Sequence, residues 1–165
     1  MRVVKLGIIS IIFFSILITG ISLFFPSHVH ISKAIDIRTS KDSLMSRITD
    51  VTKWKSWYPG ADTATYFVEQ GKIKGIATGN DQALVIREMN DSAVLTMNVG
   101  THLKSAGSGW NIFPGSFPNS FTVQWYMNFR LRWYPWEKFS SLLLEKRYGP
   151  VMEQGLERLK ALLEK

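Results

Sequence analysis

Near its N-terminus the chain carries 20 consecutive residues, 6–25, without a charged side chain. As an α-helix with a rise of about 1.5 Å per residue, this run would be about 30 Å long, the thickness of the hydrocarbon core of a bilayer. A core helix of a soluble protein would show a polar side, whereas this run has only small hydroxyl side chains, which can bond to their own helix. The run therefore predicts a membrane-spanning anchor within residues 1–27, followed by a separate domain over residues 28–165.

A cleaved signal peptide is the alternative for this run. Its apolar region would be shorter, about 7–15 residues, and would end at a small-x-small site. Here the run continues to Phe25 and Pro26 without such a site, so an uncleaved anchor is favoured. Arg2 and Lys5 precede the run, and positive charge is biased toward the cytoplasm. We therefore expect a single-pass membrane protein with a cytoplasmic N-terminus and its domain on the extracytoplasmic side, periplasmic or outer.

Composition limits the chemistry of the remaining ~140 residues, which suffice for one domain with its own core. The chain has no cysteine, which excludes disulfides, thiolate metal ligands and a cysteine nucleophile. The net charge of +7 is spread along the chain in pairs of basic residues, so nucleic-acid binding is not indicated. Aromatic residues are abundant at 13%, which is typical of a wide core or an apolar cavity.

Alternation of apolar and polar residues predicts most of the strands. They are expected over residues 28–38, 64–69, 82–89, 93–99, 105–113 and 119–131, with a hairpin turn at Asn90-Asp91. A further strand over 73–77 is less regular, because glycines interrupt it. On the strand over 93–99, four apolar residues share one face, which we expect to point inward: Ala93, Leu95, Met97 and Val99.

Capping residues predict the helices. Ser40 can cap a short helix over residues 41–49, and Asp50 can cap a second one over 51–57. Pro135 suits the first position of a long C-terminal helix, which Gly149-Pro150 is expected to break or kink. Beyond that point a stripe at helical spacing indicates a face that covers the sheet, formed by Met152, Leu156, Leu159 and Leu163. Gly155 could let this helix approach the sheet closely. The order of elements predicts an α+β fold in which this helix covers an antiparallel sheet.

Two local patterns accompany this order of elements. The first is Ile35-Asp36-Ile37 and a short helix, then Ile48-Thr49-Asp50, Trp54 and Trp57 before a proline; the second is Gly149-Pro150 with Gly155-Leu156 and Leu159-Lys160. With them, residues 28–165 resemble the START-like superfamily, also called SRPBCC or polyketide cyclase/dehydrase-like. The resemblance implies the helix-grip fold, a curved antiparallel β-sheet wrapped around a long C-terminal helix, with two short helices after the first strand. It also implies a cavity between sheet and helix, which in relatives holds lipids, sterols, polyketides or other hydrophobic molecules.

Apolar and aromatic side chains are the candidates to line such a cavity, and ordinary core packing is the alternative role for each of them. Three of them are expected near the mouth, six on the sheet and three on the helix: Trp54, Trp57, Tyr58; Tyr66, Met97, Trp110, Trp125, Met127, Phe129; Phe139, Leu143 and Met152.

No metal, cofactor or catalytic group is predicted. His28 and His30 share a strand face but lack a third ligand at usable spacing, and Ser108 lacks the pattern around a nucleophilic serine. Three functions stay open. The first is a membrane-anchored domain that binds a hydrophobic small molecule or lipid, and the second is a non-enzymatic structural or interaction domain with a filled core. The third is a cyclase- or hydrolase-type enzyme, which would need a polar side chain buried inside the fold.

Overall fold

The computed structural model describes residues 2–79, 82–100 and 106–165. In chain order its elements are α1 (Arg2–Ser22), β1 (His28–Arg38), α2 (Lys41–Thr49), a 3₁₀ helix (Val51–Ser56), β2 (Thr65–Glu69), β3 (Lys72–Gly79), β4 (Gln82–Met89), β5 (Ala93–Val99), β6 (Ala106–Pro114), β7 (Ser120–Arg130) and α3 (Pro135–Leu163). The predicted α+β order is confirmed, and the second short helix is a 3₁₀ helix. The C-terminal helix continues through Pro150, so of the predicted break or kink the break is wrong. Gly149 lacks the Cβ that would crowd the ring of a following proline, which removes one of the obstacles to helical backbone before Pro150.

The seven strands form one antiparallel sheet in the order β1-β7-β6-β5-β4-β3-β2. The first and last strands are neighbours: β1 and β7 pair along their whole length, from His28 with Arg130 to Arg38 with Ser120. This pairing brings the end of α1 and the start of α3 to the same end of the sheet. The predicted helix-grip arrangement is confirmed.

The core lies between the sheet and the C-terminal half of α3. Met152, Leu156 and Leu159 are buried there, as their spacing predicts. Lys33 is on the same face of the sheet, opposite Trp125 in the ladder, and reaches the edge of the core, where its Nζ lies 2.8 Å from Glu153 Oε1. That hydrogen bond and the charge of Glu153 raise the pKa of Lys33, so it remains charged.

Both predicted capping residues, Ser40 and Asp50, cap the helices that follow them. The Ser40 hydroxyl accepts a hydrogen bond from the Ser43 amide at 3.3 Å, and the Asp50 carboxylate accepts one from the Thr52 amide at 3.1 Å. These two caps set the entry of α2 and of the 3₁₀ helix, and thereby direct Trp54 into the core.

The prediction of which face of β5 points toward the core is wrong. Val94 and Thr96 are fully buried, whereas Met97 is 47% exposed. Residues directly opposite each other in a ladder share a face, and Val94 pairs with Trp110. The register with β6 therefore turns the even-numbered residues of β5 inward, although the odd-numbered ones are more apolar.

The first half of α3 also differs from its prediction. Trp136, Leu142 and Leu143 are all more than 60% exposed, whereas Lys138 is 5% exposed. Leu143 and Met152 are nine residues apart, about two and a half helical turns, so the two apolar stripes of this helix point to opposite sides. Only the second stripe covers the sheet.

Candidate functional site

Five aromatic side chains meet where the resemblance places a cavity. We call this group the aromatic cluster: Trp54, Trp57, Tyr58, Trp110 and Trp125. The four tryptophans are fully buried. Trp110 is central, because its ring centroid lies 5.5–5.6 Å from those of the other three tryptophans. Tilted and edge-to-face arrangements at such distances are favourable for aromatic rings.

The segment after α2 positions one side of the cluster. Trp54 Nε1 donates a hydrogen bond of 2.8 Å to the Ile48 carbonyl, and Trp57 Nε1 donates one of 3.2 Å to the Arg47 carbonyl. These carbonyls belong to the last turn of α2, where no helical partner is available for them. The two indoles therefore satisfy the end of α2 while their rings fill the core.

The sheet positions the other side of the cluster through one row of the ladder. Val94, Trp110 and Trp125 are direct neighbours across β5, β6 and β7. Trp125 Nε1 donates to Ser108 Oγ at 3.0 Å, and Thr96 Oγ1 donates to the Ser108 carbonyl at 2.9 Å. Ser108 and Thr96 are themselves buried, so a short polar chain runs through the core beside the aromatic rings.

Trp110 is the exception among the buried indoles. Its Nε1 is buried and has no acceptor among the residues that the structure describes. A buried donor without a partner costs about 1–3 kcal/mol, and native proteins contain few of them. An acceptor oxygen brought in by a bound molecule would remove this penalty.

Tyr58 closes the cluster next to the 3₁₀ helix. Its ring stacks on Trp54 at 5.4 Å and lies 5.1 Å from Trp125. Burial raises the pKa of its hydroxyl above the ordinary range for tyrosine. The hydroxyl is therefore neutral at physiological pH and contributes no charge to this part of the core.

The other predicted lining residues fall into two groups. Met152 is buried in the core, and the partly buried side chains of Met127 and Phe129 pack against that core. Four residues lie elsewhere: Phe139 faces the Phe25 ring at 5.1 Å, Tyr66 is 37% exposed beneath Lys55, Met97 is 47% exposed and Leu143 is 64% exposed. The expectation that Met97 and Leu143 line the space between sheet and helix is wrong, because the register of β5 turns Met97 outward and the helical phase of α3 turns Leu143 away from the sheet.

Sequence reasoning missed three buried polar side chains, Thr96, Ser108 and Lys138. The first two follow from the inverted face of β5 and its register with β6, which alternation within one strand does not reveal. Lys138 could have been found from helical phase, because it precedes Met152 by 14 residues, about four turns, and so lies on the same side of the helix as the buried stripe.

The histidine pair is engaged in other contacts. His28 Nε2 accepts from Arg130 Nε at 3.2 Å, and His30 Nδ1 lies 2.6 Å from Asn128 Oδ1. The third histidine, His102, lies outside the described residues. Within the described ranges, no group of three His, Asp or Glu side chains has the arrangement of a metal site.

An open groove of about 940 Å³ lies away from the cluster, at the end of the sheet where β1 ends and β7 begins. It is lined by backbone-rich turns and by a mixture of cationic and apolar side chains, among them Arg38, Lys41, Pro114 and Phe117.

Comparison with known proteins agrees with this geometry. Residues 28–164 match the family model described as polyketide cyclase / dehydrase and lipid transport. A START superfamily protein from Mycobacterium smegmatis superposes with a TM-score of 0.63 at 16% identity, covering 82% of this chain and 97% of that one. The di-domain ARO/CYC StfQ of the steffimycin biosynthetic pathway gives 0.63 at 11% identity, with 83% and 51% covered. XoxI from Bacillus cereus gives 0.58 at 15% identity, with 82% and 95% covered. A search of curated proteins found no significant match. At these identities the solved structures share the fold.

Proposed function

The chain belongs to the polyketide cyclase/dehydrase and lipid transport family, and on this basis we propose that residues 28–165 bind a hydrophobic molecule beside the aromatic cluster, while α1 anchors them to a membrane. The observation that carries the binding proposal is the buried, unpaired Nε1 of Trp110. The molecule that fits is apolar, with one acceptor oxygen such as a carbonyl or ether. Large rings would contact its apolar part, and the indole N–H would orient it, as in other apolar sites with few polar groups.

Binding would require the cluster to open, because its tryptophans are fully buried. Tyr58 and the 3₁₀ helix are the parts that would move, since they belong to a short connecting segment and not to the sheet. Movement there would expose Trp110 without breaking a ladder of the sheet.

The anchor proposal rests on α1 and on the segment that links it to β1. The 21 residues of α1 are long and apolar enough to cross a membrane, and all of them except Thr19 and Ser22 are exposed. Lys138 Nζ donates to the Phe25 carbonyl at 3.0 Å and also bonds to Ser27 Oγ. Cleavage near Pro26 would remove the Phe25 carbonyl and leave a buried ammonium with fewer acceptors, which is costly. This favours an intact N-terminus over a cleaved signal peptide.

A second function is supported by the packing itself. Four fully buried tryptophans at contact distance are what a filled core looks like, and such a domain would serve as a structural or interaction module. The two functions differ in what Trp110 contributes. In a filled core its unpaired N–H only lowers stability, whereas in a binding domain it holds the ligand.

Native mass spectrometry of the full chain, purified in detergent from its membrane, separates the two. We expect a bound hydrophobic molecule on the wild type and its loss or weakening in Trp110→Phe. Phe113→Leu is the control, because Phe113 is 48% exposed. A wild type without bound molecules, also after incubation with lipid extract, would favour the filled core.

Membrane extraction and protease access test the anchor. Alkaline carbonate should leave the chain in the membrane, and protease added to spheroplasts should digest residues 28–165 because Arg2 and Lys5 favour a cytoplasmic N-terminus. Release of a soluble form beginning near Pro26 would contradict the anchor. Protection until lysis would reverse the orientation.

A further inference from the structure

The first half of α3 carries an apolar stripe that is largely exposed, with Phe139 half-buried against Phe25. Trp136 is 67% exposed, and Leu142 and Leu143 are each 64% exposed. Trp136, Phe139 and Leu143 follow at spacings of three and four residues, so they lie on one side of the helix. We call this surface the outer stripe: Trp136, Phe139, Leu142 and Leu143. Exposed leucine and tryptophan at helical spacing form a contiguous patch, which marks an interaction surface more often than scattered apolar residues do.

Contacts with the N-terminal segment fix where the outer stripe lies. The Phe139 ring meets the Phe25 ring at 5.1 Å in an edge-to-face arrangement. Next to Phe139 on the helix, buried Lys138 donates to the Phe25 carbonyl. The Leu131 amide also donates to the Ser27 carbonyl at 2.8 Å. The start of α3 is therefore held against the residues at which α1 ends, and the outer stripe begins at the same level.

The segment that leads into α3 has the composition of a membrane boundary. Trp133, Tyr134 and Trp136 form a continuous ring stack, with centroids 4.8 and 4.9 Å apart. Trp and Tyr are enriched where bilayer meets water, because their rings combine an apolar body with a polar group. Phe24, at 91% exposed, and Leu23, at 71%, extend the apolar surface on the side of α1.

Charge adds a preference for one kind of bilayer. Residues 130–147 contain five basic side chains and two acidic ones, and exposed Arg130, Arg132, Lys146 and Arg147 border the outer stripe. Basic residues beside an apolar helix face attract anionic headgroups. A second copy of this chain would present the same positive charge, so the charge favours an anionic lipid surface over self-association.

We propose that the outer stripe docks on the bilayer surface, with Trp136 and Leu143 at the boundary between headgroups and acyl chains and the bordering cations on anionic headgroups. This rests on the proposed anchor, which brings the stripe to the membrane. The first half of α3 is then an interfacial helix, and the second half covers the sheet. The domain is held at two places, α1 and the outer stripe, and has a fixed orientation.

Site-directed spin labelling tests the proposal in the full chain, since the natural sequence has no cysteine to compete for the label. Single variants Trp136→Cys and Leu143→Cys are labelled and placed in vesicles of phosphatidylcholine with phosphatidylglycerol. The access of oxygen is compared with that of a water-soluble nickel chelate. Met89→Cys is the aqueous control, because Met89 is 60% exposed near the hairpin at the far end of the sheet. Ile12→Cys reports on the anchor.

We expect the ratio of oxygen to nickel access at positions 136 and 143 to be several-fold higher than at Met89, and highest at Ile12. Aqueous ratios at 136 and 143 with an embedded Ile12 would overturn the docking and leave the anchor intact. An aqueous Ile12 would overturn the anchor itself. Low access to both reagents, with dipolar broadening that disappears on dilution with unlabelled protein, would indicate contact between copies and overturn the docking. Equal ratios in vesicles of phosphatidylcholine alone would overturn the role of the cations.

Discussion

Gly155→Ala tests how closely α3 packs on the sheet. A Cβ built at this position would lie 2.7 Å from Cζ3 of Trp125 and 2.9 Å from Cδ of Pro59. Ordinary carbon contacts are about 3.5–4.0 Å, and neither a buried indole nor a proline ring can turn away as a flexible side chain would. We expect an overpacking penalty of about 1–3 kcal/mol.

Alanine in a helix interior also brings a gain over glycine, of about 0.8–1.0 kcal/mol. The two effects oppose each other, and the net expectation is a loss of up to about 2 kcal/mol. For a protein of 150–250 residues that corresponds to a melting temperature lower by at most about 4–8 °C. Thermal unfolding of the detergent-solubilised chain, followed by near-ultraviolet circular dichroism, measures it. Gln154→Ala, on the exposed side of the same turn, is the control and should leave Tm nearly unchanged.

A double-mutant cycle isolates the steric term. Trp125→Phe removes the benzo ring of the indole, whose Cζ3 a Cβ at position 155 would strike. The free-energy cost of Trp125→Phe should therefore be smaller in the Gly155→Ala background. A coupling of about 0.5–3 kcal/mol is expected for residues in contact. Additive effects, together with a Gly155→Ala variant that melts higher than the wild type, would refute the close approach of α3 to Trp125.

Three further substitutions probe other parts of the fold. Leu159→Ala should lower the free energy of unfolding by about 2–5 kcal/mol, because Leu159 is fully buried. Lys160→Ala should cost under about 1 kcal/mol, since its ion pair with Glu164 is only partly buried. Equal losses in denaturant titrations would contradict the assigned face. Ser40→Ala removes the cap of α2 and should cost about 0.5–2 kcal/mol, with Ser40→Asp as the variant expected to restore it. The Thr52 hydroxyl and amide lower the pKa of Asp50. The charged carboxylate therefore stabilises the folded protein at pH values above the ordinary pKa of a carboxyl group, and this stabilisation is lost as the pH falls through the lowered pKa. The difference in Tm between wild type and Asp50→Asn should therefore shrink on acidification, and a constant difference would show that the carboxylate is not the cause.

Local patterns in the sequence predicted the elements well. Alternation along residues 28–38 matches β1, and Ser40 and Asp50 cap the helices whose starts they predict. Such signals lie within a few residues of one another, so a single chain segment carries them. The close approach at Gly155 was also expected, because a glycine inside a helix stripe has few other uses.

Features that depend on two segments were not predicted. The buried side of β5 is set by the pairing of Val94 with Trp110, and the more apolar side of this strand remains partly exposed. The unpaired Nε1 of Trp110 is a property of the whole cluster and has no signature in the sequence. The orientation of Leu143 was within reach, since counting helical turns from Met152 separates the two stripes of α3, but apolar character alone suggested that both faced the sheet.

The connection between α1 and β1 determines how far the domain can reach. Turn-type hydrogen bonds continue the end of α1 as far as Phe25, and β1 begins at His28, so only Pro26 and Ser27 link the two. With α1 in a bilayer, the domain has no flexible linker that would let it move away from the membrane surface. It then meets ligands and partners by lateral diffusion in the plane of the membrane. At about 3.3 Å per residue, Pro26, Ser27 and the 11 residues of β1 set an upper limit of about 43 Å on the height of Arg38 above the lipid. A partner that contacts Arg38 or the end of α3 must therefore itself lie within that distance of the membrane surface.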